Sequence, residues 1–134
     1  MSQANVELCR EGVEAFNQRD IERLAELTSP EFEFAAYLAT LIETTTYRGL
    51  DGFRRYFEDA DAAWEEIQVR LSDDFRDLGE RIVLFGELQG KGRASGLELR
   101  VPLAWVAEIH DGKLTRLRSY ENAADAFKAV GLAG

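Results

Sequence analysis

From Leu97 to Ile109 apolar and polar positions alternate almost without interruption. Leu97, Leu99, Val101, Leu103, Trp105, Ala107 and Ile109 share one parity; Glu98, Arg100, Pro102, Ala104, Val106 and Glu108 share the other. Successive strand side chains point to opposite faces, so this period predicts a long strand buried on its odd-numbered face. His110-Asp111-Gly112-Lys113 is a hairpin turn signal, and Leu114 to Glu121 returns as the partner strand. Elsewhere the period changes. Val6, Cys9, Val13 and Phe16 step by three and four, one stripe of a helix with Ser2 or Asn5 as its cap. Residues 17–20 interrupt it, and Asp20 suits the N-cap of a short second helix carrying Ile21, Leu24 and Leu27. Thr28-Ser29-Pro30 ends that helix, because proline disfavours helical backbone in the residue before it.

Glu31-Phe32-Glu33-Phe34 alternates as a short strand, while residues 35–47 fit no single period. Gly49 to Gly52 is a break, with Asp51 as a cap for a third helix on Phe53, Tyr56, Phe57 and Ala60, closed by Trp64. Ile67, Val69 and Leu71 open a strand towards Leu78, and Arg81 to about Lys91 forms the next, with Gly86 and Gly90 marking a bulge or a bend. Asn122 caps a final helix on Ala126, Phe127 and Val130, and Gly131 fits the position just past its end. The 134 residues make one domain, 1–134. The order of elements predicts an α+β fold, a cone-shaped barrel of strongly bent, mainly antiparallel sheet wrapped around the N-terminal helices. Such a cone holds an apolar ligand at its open end. Phe34, Phe57, Trp64, Leu103 and Trp105 are the expected wall for a small hydrophobic, ring-containing molecule, with Ser119 facing inward beside them. Each aromatic also reads as plain core, which is the same geometry with the lumen filled.

Composition narrows the partners. Twenty-five acidic against 16 basic residues give a formal charge of -9, which repels nucleic acid. No apolar run approaches the roughly 20 residues of a membrane helix. Cys9 is the sole cysteine, so no internal disulfide forms, and it falls on the first apolar stripe as core. The first five residues hold no basic region and no apolar segment, and the cytoplasm is the expected compartment. His110 is the sole histidine and lies in a turn, so neither a zinc site nor a histidine triad is supported, and no cofactor or metal is expected. Glu87 stands mid-strand among apolar neighbours. Facing the lumen, it would be a general base with a pKa raised by burial; facing out, it is solvated. Glu43 poses the same choice. Tyr37, just after the first strand, offers a hydrogen bond to a carbonyl, and Arg48 suits pairing with a carboxylate.

Several pieces recur in a fixed order: Glu14-Ala15-Phe16-Asn17 before Arg19-Asp20-Ile21, then Pro30-Glu31-Phe32-Glu33-Phe34, then Tyr47-Arg48-Gly49. Arg93-Ala94-Ser95-Gly96, Asp111-Gly112-Lys113, Arg118-Ser119-Tyr120 and Ala124-Asp125-Ala126 follow. On these pieces the chain resembles the SnoaL-like polyketide cyclase group of the nuclear-transport-factor-2-like superfamily, which also holds ketosteroid isomerases and limonene epoxide hydrolases. The resemblance implies a cystatin-like roll, small-molecule binding and a homodimer through the open sheet. It also implies cofactor-independent proton transfer next to a carbonyl. The positions that would carry such chemistry are changed. The isomerase base falls at Ala36, its carbonyl-polarising tyrosine at Gly12 and its second acid at Trp105. The epoxide hydrolase aspartates fall at Ser119 and Val83, leaving only Arg81. Three readings stand side by side. One is a cyclase- or isomerase-like enzyme with Glu87 or Glu43 as base and Tyr37 as donor. The second is a binding module without chemistry. The third is an assembly module dimerising through Val106, Leu114 and Tyr120.

Overall fold

The computed structural model describes residues 3–35 and 46–131. The helix α1 (Gln3–Asn17) buries Val6 and Cys9 of the predicted stripe and half-buries Val13 and Phe16, and α2 (Ile21–Leu27) starts where the Asp20 carboxylate accepts the Arg23 amide at 3.0 Å. The strand β1 (Thr28–Ala35) follows at once; β2 (Tyr47–Arg48) then leads into α3 (Gly49–Ala63). Four strands come next: β3 (Trp64–Asp77), β4 (Arg81–Gly92), β5 (Glu98–His110) and β6 (Lys113–Tyr120). The chain closes with α4 (Ala123–Ala129), capped by Asn122, which accepts the Asp125 amide at 2.9 Å. Asp111 and Gly112 both take positive φ, 51° and 75°, which is the two-residue turn that matches the twist of a hairpin.

The six strands form one sheet in the order β2-β1-β6-β5-β4-β3. All neighbours are antiparallel except β1 and β6. The sheet is a cone left open between β2 and β3, so the fold is α+β as the pattern predicts. Its concave face packs on α1, α2 and α3 around a core that includes Phe32, Phe53, Ile82, Leu84 and Trp105. Its convex face carries a second, smaller cluster in which α4 covers Val83, Ala104 and Val106.

Gly86 shows why the sheet bends. A Cβ there would lie 2.1 Å from the Arg70 carbonyl oxygen and 2.9 Å from the Leu71 Cα. Only glycine lets β3 pass that close. The expected bulge is not at Gly86 itself, which pairs in register with both Leu71 and Leu103. It falls on β3, between Leu71 and Phe75, so the parity of β4 is undisturbed.

Other expectations are corrected in the same way. Asn5 lies within α1 and donates to the Gly79 carbonyl at 2.9 Å instead of capping the helix. Asp51 sits in the first turn of α3 and pairs with Arg54 at 3.1 Å. Trp64 does not close α3; the chain is already extended there and Trp64 opens β3. Leu97 precedes β5 and is 67% exposed. The patch proposed for dimerisation is already used within the chain. Val106 is buried in the cluster beneath α4 and Tyr120 packs against it, while Leu114 faces the opposite, concave side. Leu114 differs from its expected face because the β5–β6 register shifts between Glu108 and Ile109, where the Thr115 hydroxyl donates to the Glu108 carbonyl at 3.1 Å.

Candidate functional site

The concave core is not filled. Between α1, α3 and the sheet lies a cavity of about 80 Å³. Gly12 and Phe16 of α1, Phe53 and Tyr56 of α3, and Phe34, Leu84, Leu88, Leu103, Trp105 and Leu117 of the strands are among its walls. Strand parity places these side chains. Leu84 and Leu88 share the even face of β4, and Leu103 and Trp105 the odd face of β5. The volume is well below the roughly 300 Å³ of a drug-sized site, so a larger guest enters only by displacing side chains.

The polar atoms in this wall are few. Among the described lining residues none is a carboxylate or an imidazole; Cys9, Thr28, Tyr56 and Trp105 carry the side-chain polar hydrogens. The Thr28 hydroxyl is committed to the Leu24 carbonyl at 2.7 Å. Burial pushes the Cys9 thiol up to about 12 and the Tyr56 phenol to about 12. Both stay protonated near neutral pH. They can donate a hydrogen bond but cannot take a proton, so this wall supplies no general base.

Three of the residues singled out from the sequence meet at the cavity: Phe34, Leu103 and Trp105. Phe57 lies one layer behind, with its ring 5.3 Å from that of Phe16 and the Arg19 guanidinium 4.6 Å above it. Trp64 packs at the rim of the core and does not line the cavity. Ser119 stands opposite Trp105 in the register, but its hydroxyl donates to the Ala35 carbonyl at 3.1 Å and fastens β6 to β1.

Glu87 is not in the lumen. It shares the convex face with Val83 and Phe85, accepts a hydrogen bond from Gln89, and lies 3.9 Å from the Arg100 guanidinium. Val83 and Arg81 lie on that same parity, so the epoxide hydrolase positions also miss the cavity. Tyr37, Glu43 and Ala36 fall outside the described residues. Gly12 does line the cavity, and a Cβ there would come within 2.9 Å of Leu114 Cδ1, so α1 rides close on β6. Arg48 pairs with Glu33 at 3.3 Å, as expected.

Two residues escaped the sequence reading. Tyr56 belongs to the third apolar stripe, where its ring is ordinary core and its hydroxyl is the feature that stands out. Arg19 sits in the 17–20 interruption and adopts a positive φ of 58°, which the pattern break alone does not specify. No described helix is long and apolar enough to cross a membrane.

A model of the SnoaL-like domain matches residues 9–117. No curated protein matches the chain by sequence. Solved structures match it closely in shape. An NTF2-like protein of unknown function from Burkholderia pseudomallei shares 19% identity over 96% of this chain and 98% of its own, with a TM-score of 0.76. TerC co-crystallised with polyporic acid shares 19% over 94% and 97%, with a TM-score of 0.77. A cystatin fold protein from Novosphingobium aromaticivorans shares 16% over 87% and 97%, with a TM-score of 0.68. At these identities the likeness is one of fold.

Proposed function

The chain belongs to the SnoaL-like domain family, and on that footing we propose that it binds a small apolar, ring-containing molecule in the concave cavity. One observation carries the proposal. The walls are apolar and, among the described residues, hold no group able to accept a proton. Binding therefore comes from burial of apolar surface, and the cavity acts as a receptor for a guest of about one ring. The test is a titration of the protein with toluene, read by melting temperature and by chemical shifts of the core methyl groups. A ligand that binds only the folded state raises the melting temperature by mass action, so a saturable rise is expected. Leu84→Phe, which fills the space, is expected to abolish it. Glu87→Gln, on the far side of the sheet, is expected to leave it intact. An absence of saturable binding to the wild-type protein overturns the reading.

Family membership supports a second reading, cyclase- or isomerase-type proton transfer next to a carbonyl. Its base would be Glu43 and its donor Tyr37, since Glu87 faces away. Enolisation of a β-dicarbonyl probe by the protein, lost in Glu43→Gln and slowed in Tyr37→Phe, is the result that favours it.

A further inference from the structure

In an antiparallel sheet each residue turns its N–H and C=O to one neighbouring strand, and the next residue turns them to the other. The Leu97 carbonyl accepts the Gly92 amide at 2.8 Å, and the Ile109 amide donates to the Glu80 carbonyl at 2.8 Å, both on the side of β4. Between them the register with β4 runs unbroken from Glu98 to Glu108. Odd-numbered residues of β5 therefore bond towards β4, and even-numbered residues turn the other way. From Ala104 onwards that other side is taken by β6, which ends at Tyr120, opposite Ala104. Between Glu98 and Pro102 no strand lies there among the described residues.

This stretch of β5 is an open edge within the sheet. It presents the N–H and C=O of Glu98, those of Arg100, and the C=O of Pro102. Pro102 has no N–H to give, and it costs β5 no ladder bond because its nitrogen faces the gap. Glu98 and Arg100 are exposed, on the convex face with Glu87. The Arg100 guanidinium reaches Glu87 only at 3.9 Å, and Glu98 makes no ion pair among the described residues. The opposite parity is apolar. Leu99 and Val101 are half-buried on the concave side, and Leu97 before them is the most exposed large apolar residue of the described surface. An edge with such a row of groups is a template for another strand.

We propose that this edge takes a second copy of the chain as an added antiparallel strand, about a two-fold axis through Leu99. In that register Glu98 lies opposite the partner's Arg100, and the two exchange both backbone hydrogen bonds. Their side chains meet as an ion pair on the convex face, and symmetry repeats the pair. Leu99 faces the partner's Leu99, and Leu97 faces the partner's Val101, which continues the apolar strip from one copy to the next. Pro102 falls outside the bonded groups, so its missing N–H costs nothing. Centring the pair on Arg100 instead would set like charges opposite each other and bring the Glu98 carbonyl against a proline. Two chains of formal charge -9 repel on average, so the alternation of Glu98 and Arg100 supplies the local complementarity that contact needs. The contact is made by a strand edge and leaves the convex cluster of Val106 and Tyr120 under α4 as it is. It is independent of what the cavity holds.

The test is sedimentation velocity of the full chain. A strand-edge contact is small, so a weak, reversible dimer is expected to form between about 10 µM and about 1 mM. Arg100→Glu places glutamates opposite Glu98, and Glu98→Arg places arginines opposite Arg100. Each is expected to weaken the dimer about tenfold, because it makes both cross-strand pairs repulsive. Glu98→Arg also makes the chain less acidic, so a general charge effect would strengthen association in that variant. The double variant Glu98→Arg with Arg100→Glu restores opposite charges and is expected to regain the wild-type association. Both side chains are exposed, so the melting temperatures of dilute samples are expected to match. Amide hydrogen exchange gives a second readout on the wild type, where the Glu98 and Arg100 amides are expected to slow as concentration rises. A wild-type chain still monomeric at about 1 mM overturns the proposal. So does a dimer whose Glu98 and Arg100 amides exchange as in the monomer, or one that both single variants leave unchanged. Weakening in the single variants without recovery in the double overturns the register through Leu99.

Discussion

The two faces of β5 solve opposite problems with adjacent residues. On the convex side Ala104 and Val106 meet Val83 and the fully buried Ala126 of α4, and the cluster is closed. On the concave side Leu103, Trp105 and Ala107 are buried just as well, yet they border a gap of about 80 Å³. Atoms lining a gap lack dispersion partners on one side, so the concave face forgoes packing energy that the convex face keeps. Burial alone does not separate the two. What distinguishes them is whether the space between buried side chains is occupied.

The strongest way to break this arrangement is to remove what both faces share. Gly86→Ala forces a Cβ into the backbone of Arg70 and Leu71, which cannot swing aside as a side chain would. We expect a loss of about 3 kcal/mol in urea unfolding, or failure to fold. A loss under about 0.5 kcal/mol would show that β3 and β4 are not pinned there.

A paired substitution sharpens the comparison. Trp105→Ala is expected to cost about 3–5 kcal/mol and to widen the cavity, so that naphthalene binds where it did not before. Val106→Ala, one residue along, is expected to cost about 2 kcal/mol and to leave toluene binding unchanged. Equal effects on binding would mean that the faces are mechanically one.

The smallest expected effect lies outside both clusters, at the β5–β6 turn. There the Glu80 carboxylate, at 3.2 Å, raises the His110 pKa above its ordinary 6.5, with Asp111 adding to it. A raised folded-state value makes the contribution full below 6.5 and lost as pH rises through the folded-state value. His110→Gln should therefore lower the melting temperature slightly at about pH 5.5 and not at about pH 8.5. A difference of the same size at both would rule out titration as its source.

Strand parity is why much of this was legible in the sequence. The alternation through β5 put Leu103 and Trp105 on the concave face, and Phe34 follows from the same rule on β1. Glu87 shows how the rule was misapplied. Gly86 looked like a bulge that could reset the parity of β4, but the bulge lies on β3, and the even spacing of Ile82, Leu84 and Leu88 already placed Glu87 outside. Leu114 failed for the converse reason, because a real register shift separates it from Ser119. Trp64 continued a helical stripe whose helix had ended one residue earlier.

Asn17 ends α1 with its side chain laid along β3, donating to the Val69 carbonyl at 2.8 Å and accepting the Val69 amide at 2.9 Å. One carboxamide thus stands in for a residue of a neighbouring strand on the free edge of the sheet. A row of unpaired amides and carbonyls invites a stranger's chain to add itself as the next strand. By occupying the edge at Val69, Asn17 denies a passing polypeptide a continuous template along β3.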